Sequence, residues 1–95
     1  MIRFRPLAAR ELTEDVRYYE AQRPGRGGRF AAEVSALLDR IAEAPLSFPV
    51  LIEPDVRSAK VPCFPYRVVF LEVGPDIDVL AVAHAKRRPK YWRGR

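Results

Sequence analysis

Two neighbouring runs constrain this chain most. Tyr66 to Val73 and Ile77 to His84 are dense in β-branched and aromatic residues, and Gly74-Pro75-Asp76 separates them. Such runs around a Pro/Gly turn predict an antiparallel hairpin. Both are apolar at odd and even positions alike, which is the pattern of central strands covered on two faces. They need cover.

The first half of the chain supplies amphipathic helices. From Leu7 to Gln22 the apolar residues Ala8, Leu12, Val16 and Tyr19 recur three or four apart, with Arg10, Glu11, Glu14, Asp15 and Arg17 on the other side. Arg23-Pro24-Gly25 stops this helix, because proline cannot continue the backbone hydrogen bonding and glycine turns easily. A second helix is predicted from about Gly28 to Ala44, with Phe30, Val34, Leu37, Leu38 and Ile41 on one stripe and Pro45 at its end. Two such helices on a short turn make a helical hairpin. Ile2 and Phe4 alternate with Arg3 and Arg5 as a short half-buried strand before Pro6. Phe48 to Ile52 reads as a weak strand hampered by Pro49, and Val56 to Val61 as a better one bounded by Pro62. The prediction is α+β: a short N-terminal strand, a helical hairpin and a small, mainly antiparallel sheet in the order β-α-α-β-β-β. With 95 residues there is room for one domain and one core, over residues 1–95.

Charge is unevenly placed. Met1 to Ala83 carry 11 basic and 12 acidic side chains, whereas His84 to Arg95 carry six basic side chains and no acid, so the surplus of +5 belongs to a basic C-terminal tail. Such a block attracts phosphates or acidic polypeptides without specifying which. Tyr91 and Trp92 lie inside it, and solubility gives no reason to expose two large aromatics there. Either they meet a partner or they fold back to close the core. One cysteine and one histidine cannot complete a four-ligand zinc site, and no cofactor is implied. No apolar run approaches the about 20 residues that span a bilayer, so a cytoplasmic protein is expected, without membrane partners.

Taken together, Tyr18-Tyr19-Glu20, Pro24-Gly25 with Arg29-Phe30, Phe64 to Phe70, and Ala83 to Arg93 resemble, in order and spacing, the RelE/ParE superfamily of toxins of type II toxin-antitoxin systems. The closing segment, with its proline and tryptophan, resembles the ParE-like branch. ParE-like members block DNA gyrase and are not nucleases, whereas RelE-like members cut messenger RNA on the ribosome. The resemblance implies a growth-inhibitory, plasmid-stabilising type of toxin neutralised by a cognate antitoxin with an acidic, partly disordered segment. Its target-binding residues would be Lys86, Arg87, Arg88, Lys90, Trp92, Arg93 and Arg95. The alternative, a metal-independent endoribonuclease, would use Lys60, Arg67, His84, Arg87 and Tyr91 as cations and proton-transfer groups. A third reading is an inactive remnant that binds nucleic acid through its tail.

The nuclease set is imperfect in this chain. Ser58 stands where some nuclease members have a second lysine, and Pro62 and Pro65 alter the following connection. His84 has a reference pKa of about 6.5 suited to proton transfer, yet it equally suits a strand end with a local hydrogen bond. Arg67 either serves phosphate chemistry or pairs with Glu72 or a helix carboxylate. Cys63, between Pro62 and Phe64, reads as a small packing residue. Tyr18, Tyr19 and Phe30 are expected to pack. Arg23, Arg26 and Arg29 either meet an acidic partner or are ordinary loop cations.

Overall fold

The computed structural model describes residues 1–95. Its elements are β1 (Ile2–Phe4), α1 (Pro6–Gln22), α2 (Arg26–Glu43), β2 (Val50–Ile52), β3 (Val56–Lys60), β4 (Tyr66–Val73) and β5 (Asp76–His84). Pro6 opens α1 rather than merely ending β1, since its fixed φ suits the first helical turn. A single 3-10 turn at Pro45–Ser47, absent from the sequence reading, leads α2 into β2. No helix is long and apolar enough to cross a membrane.

The five strands lie in the order β1-β5-β4-β3-β2. The hairpin of β4 and β5 forms the centre, as its two-sided apolar pattern predicts. β1 is the exception to antiparallel pairing: it runs parallel to β5, with Ile2 to Phe4 opposite Ile77 to Val79. Arg3 and Arg5 hold this edge by ion pairs to Asp76 and Asp78.

Both helices cover one face of the sheet. Ala8, Tyr19, Phe30, Val34, Leu37 and Ile41 meet Val68, Phe70, Ile77, Val79 and Val82 in the main core. The hairpin closes tightly at Gly27, where a Cβ would come within 2.5 Å of the Val16 carbonyl oxygen. Of the three aromatics expected to pack, Tyr19 and Phe30 do, but Tyr18 is 57% exposed.

The C-terminal residues provide the second cover. They are not a free basic tail: residues 85–95 make a chain of turns that brings Trp92, only 5% exposed, against Val69, Leu80 and Ala81 on the outer face. The register of β5 prepares that face. Val69 pairs with Ala81 but Phe70 pairs with Val79, so Leu80 is an extra, bulged residue. The bulge turns Leu80 and Ala81 outward to Trp92 while Val79 and Val82 both face the helices.

β1 stops at Phe4 while β5 runs on, leaving the β5 edge open beyond Val79. Glu11 of α1 and Arg95 fill it. The Glu11 Oε1 accepts the Val82 N–H at 3.1 Å, and the Arg95 guanidinium donates to the Leu80 carbonyl oxygen at 3.2 Å. The two side chains also pair with each other, at 2.8 and 3.1 Å. The Tyr91 hydroxyl donates to the second Glu11 oxygen at 2.5 Å, and Arg5 donates to the Arg95 backbone carbonyl at 3.1 Å.

Trp92→Ala is expected to cost about 3 kcal/mol by opening the outer core, and Glu11→Ala about 1 to 3 kcal/mol by leaving the half-buried Arg95 guanidinium and the Val82 N–H unpaired. Glu14→Ala, which loses only an exposed pair with Arg10, should cost less than about 0.5 kcal/mol. Urea unfolding measures all three. Equal effects at Glu11 and Glu14 would remove the clasp as a stabilising feature.

Candidate functional site

The outer face of the sheet beyond Trp92 carries exposed cations. β3 and β4 place Lys60 directly opposite Arg67, and Arg67 opposite Ala83 of β5. Neither Lys60 nor Arg67 joins any of the ion pairs of the chain, so Arg67 is not held by Glu72 or a helix carboxylate. Next to them runs a groove of about 400 Å³ floored by Val69 and Ala83 and bordered by Leu51 and Pro89. Arg67, Arg87, Arg88 and Lys90 rim it. Arg87 is fixed by stacking on Tyr91, with its guanidinium carbon 3.9 Å from the ring centroid. Lys90 occupies a left-handed turn at φ 59°, one of the turns that fold the segment back.

The residues singled out from the sequence divide by what holds them. Lys86, Arg87, Arg88, Lys90 and Arg93 are exposed on the turns, and Lys60 and Arg67 on the strands. Trp92 and Arg95, read as contacts for a target, are instead committed internally, Trp92 to the outer core and Arg95 to Glu11 and Leu80. Tyr91 likewise spends its hydroxyl on Glu11; burial first, then that carboxylate, pushes its pKa above the usual phenol range. Arg95 is pushed up by the hydrogen bond to Glu11.

His84 ends β5 with its Nδ1 accepting the Lys86 N–H at 2.9 Å, so the neutral ring carries its proton on Nε2. Its ring stands perpendicular to Tyr66 with centroids 4.9 Å apart. That is the local strand-end arrangement weighed as one alternative for this residue.

A second hollow lies on the helix side of His84, lined by Glu14, Asp15, Tyr18, Tyr19, Gln22 and Tyr66. By helical spacing Asp15 falls on the polar side of α1, yet in the fold it is half-buried. Burial pushes its carboxyl up to about 6, with the charges of Glu11 and Glu14 adding to the rise; the Tyr66 hydroxyl and Arg87 oppose it without cancelling it. Tyr66 is raised in turn, by burial first and then by Asp15 and Tyr19.

A third hollow lies at the turn between the helices. Arg23, Pro24, Arg26 and Arg29 line it together with Cys63 and Phe64. Here Cys63 departs from the packing role read from its neighbours: it is exposed, at φ 66°, because the left-handed turn points it outward while Phe64 goes into the core.

The family model described as the ParE toxin of type II toxin-antitoxin system, parDE, matches residues 2–89. Among solved structures, a chain of the chromosomal ParDE toxin-antitoxin system from P. aeruginosa is similar in fold, with a TM-score of 0.78 at 16% identity. The match covers 90% of this chain and 95% of that one. No curated protein sequence matches.

Asp15 gives this site a pH signature. In the fold it holds its proton up to about pH 6, whereas unfolded it releases it near its ordinary value of 3.8. Between those values the folded state binds more protons, so the Asp15 contribution to stability is full at low pH and is lost as pH rises through about 6. Carboxyl NMR should show a midpoint near 6, moving higher still in Tyr66→Phe. A midpoint near 4 would contradict the burial argument.

Proposed function

Because this chain belongs to the ParE toxin family of type II toxin-antitoxin systems, we propose that it inhibits growth by binding rather than by cutting, with DNA gyrase as its target. A cognate antitoxin restrains it, through an acidic segment that orders on binding. The site of action is the cytoplasm.

One observation favours binding over cutting: the fold engages the Tyr91 hydroxyl and one ring nitrogen of His84, two of the groups the nuclease reading would use. The Tyr91 hydroxyl is bound to Glu11, and the His84 Nδ1 accepts a backbone N–H. Cleavage of RNA through its 2′-hydroxyl needs a base for that hydroxyl and an acid for the leaving oxygen, beyond cations for the phosphate. The cations are present: Arg67, Arg87, Arg88 and Lys90 surround an apolar groove, and Lys60 sits opposite Arg67 on the neighbouring strand. An apolar centre rimmed by charge is how a few anchors bind a protein surface. The contact surface in this reading is that groove with Lys86 and Arg93 flanking it.

The adjacency of Lys60 and Arg67 on the open sheet face is what favours the second reading, a ribosome-dependent mRNA endonuclease.

Expression without a partner should arrest bacterial growth, and the adjacent small reading frame should relieve it. Arg87→Gln, Arg88→Gln and Lys90→Gln combined should cut toxicity at least about tenfold and reduce its salt sensitivity in vitro, whereas His84→Gln should reduce toxicity far less. A gyrase cleavage assay should show trapped complexes, and primer extension no codon-specific cuts. Ribosome-dependent cuts that disappear in Arg67→Ala would promote the nuclease reading. Unimpaired growth at full expression would leave only the remnant reading.

A further inference from the structure

The hollow at the α1–α2 turn has no part in the proposed groove, yet it gathers three cations that the fold leaves unspent. Arg23, Arg26 and Arg29 are all exposed, line the same hollow and enter none of the ion pairs of the chain. Arg26 is already fixed: its guanidinium carbon lies 5.1 Å from the Tyr19 ring centroid and 5.5 Å from that of Phe64. A guanidinium held by stacking loses less entropy when it takes a carboxylate through two parallel hydrogen bonds. Glu20, at the end of α1, forms no ion pair with Arg26. Both Glu20 oxygens accept the Gly25 N–H, and one also accepts the Gly27 N–H, so its charge caps the start of α2 and the free donors are the arginines.

We infer that this hollow binds an acidic segment of a partner polypeptide, setting its carboxylates on Arg23, Arg26 and Arg29. The hollow is small, at about 290 Å³, and Pro24 and Phe64 line it beside the arginines. That suits carboxylates spaced along a peptide with an apolar side chain between them. A nucleic-acid backbone needs an extended cationic row, which three arginines around one small hollow do not make. Assigning the segment to the antitoxin rests on the toxin reading; recognition of acidic peptide does not.

Cys63 is the only cysteine and lines this hollow, so its thiol reports on it. The test compares its rates of disulfide exchange with dianionic dithiobis-nitrobenzoate and with neutral dithiodipyridine, in the full chain. The dianion should be favoured by about tenfold relative to small free thiols, and the preference should collapse toward one in Arg23→Gln with Arg29→Gln. These substitutions leave the Arg26 stack in place, and an unchanged urea midpoint confirms the fold. The peptide acetyl-Asp-Glu-Leu-Glu-Asp-amide should slow both reagents, and its Asn/Gln counterpart should not. No dianion preference in the wild-type chain, or no protection by the acidic peptide, overturns the proposal. Protection by oligothymidylate at lower concentration than by the peptide also overturns it, in favour of nucleic acid. Because the assay needs neither toxicity nor antitoxin, its failure is separable from failure of the toxin reading.

Discussion

The Glu11–Arg95 pair is the contact on which the rest of this structure depends. A three-residue β1 cannot cover a nine-residue β5, and the bulge at Leu80 leaves a carbonyl and an N–H two residues apart without strand partners. Each such group, left buried and unmet, costs about 1 to 3 kcal/mol. A carboxylate only accepts and a guanidinium only donates, so one of each satisfies the Val82 N–H, the Leu80 carbonyl and one another. A partly buried ion pair repays its desolvation best when its remaining valences are filled. Here the second Glu11 oxygen takes the Tyr91 hydroxyl as well as Arg95.

That contact determines where the C-terminal segment goes, and hence where its charge is displayed. With Arg95 anchored at α1 and Trp92 seated on the outer face, the stretch from Lys86 to Lys90 is pinned at both ends rather than free. The surplus of +5 is thereby sorted. Arg3, Arg5 and Arg95 are consumed by Asp76, Asp78 and Glu11. Among the cations left over, two groups converge on hollows, one on the rim of the outer groove and one at the turn between the helices. A fixed cationic rim presents a defined shape to a partner, where a mobile tail would give only nonspecific attraction.

Much of the fold was legible because periodicity reports which face of an element is buried. The stripes of α1 and α2 and the two-sided β4–β5 hairpin are all where the pattern places them. Periodicity does not say which strands are neighbours, so the parallel β1–β5 pairing, between residues over seventy positions apart, stayed hidden. The site was less legible for a related reason. Glu11 and Asp15 lie between Ala8 and Tyr19 on one line of α1, at helical spacing, and both ends of that line are buried. Two carboxylates there are half-buried rather than fully solvated, and that spacing is readable in the sequence. Flanking apolar residues say nothing about the sign of φ, so the pattern around Cys63 does not show that a left-handed turn leaves it exposed while Phe64 enters the core.

The same economy bears on chemistry. A phenol can serve as an acid only if its phenolate is tolerable, and Tyr91 would form that phenolate against the Glu11 carboxylate. Freeing it requires breaking the clasp that seats the outer core, so folding and proton transfer make opposite demands on one hydroxyl. A nuclease of this architecture needs that position released from α1 or replaced by another group. A protein that acts by surface contact can spend it on the fold, and gains a rigid rim: Arg87 stacks on the very ring that Glu11 holds. Fixing Tyr91 therefore costs a binding protein nothing in function while it orients the first cation of the groove.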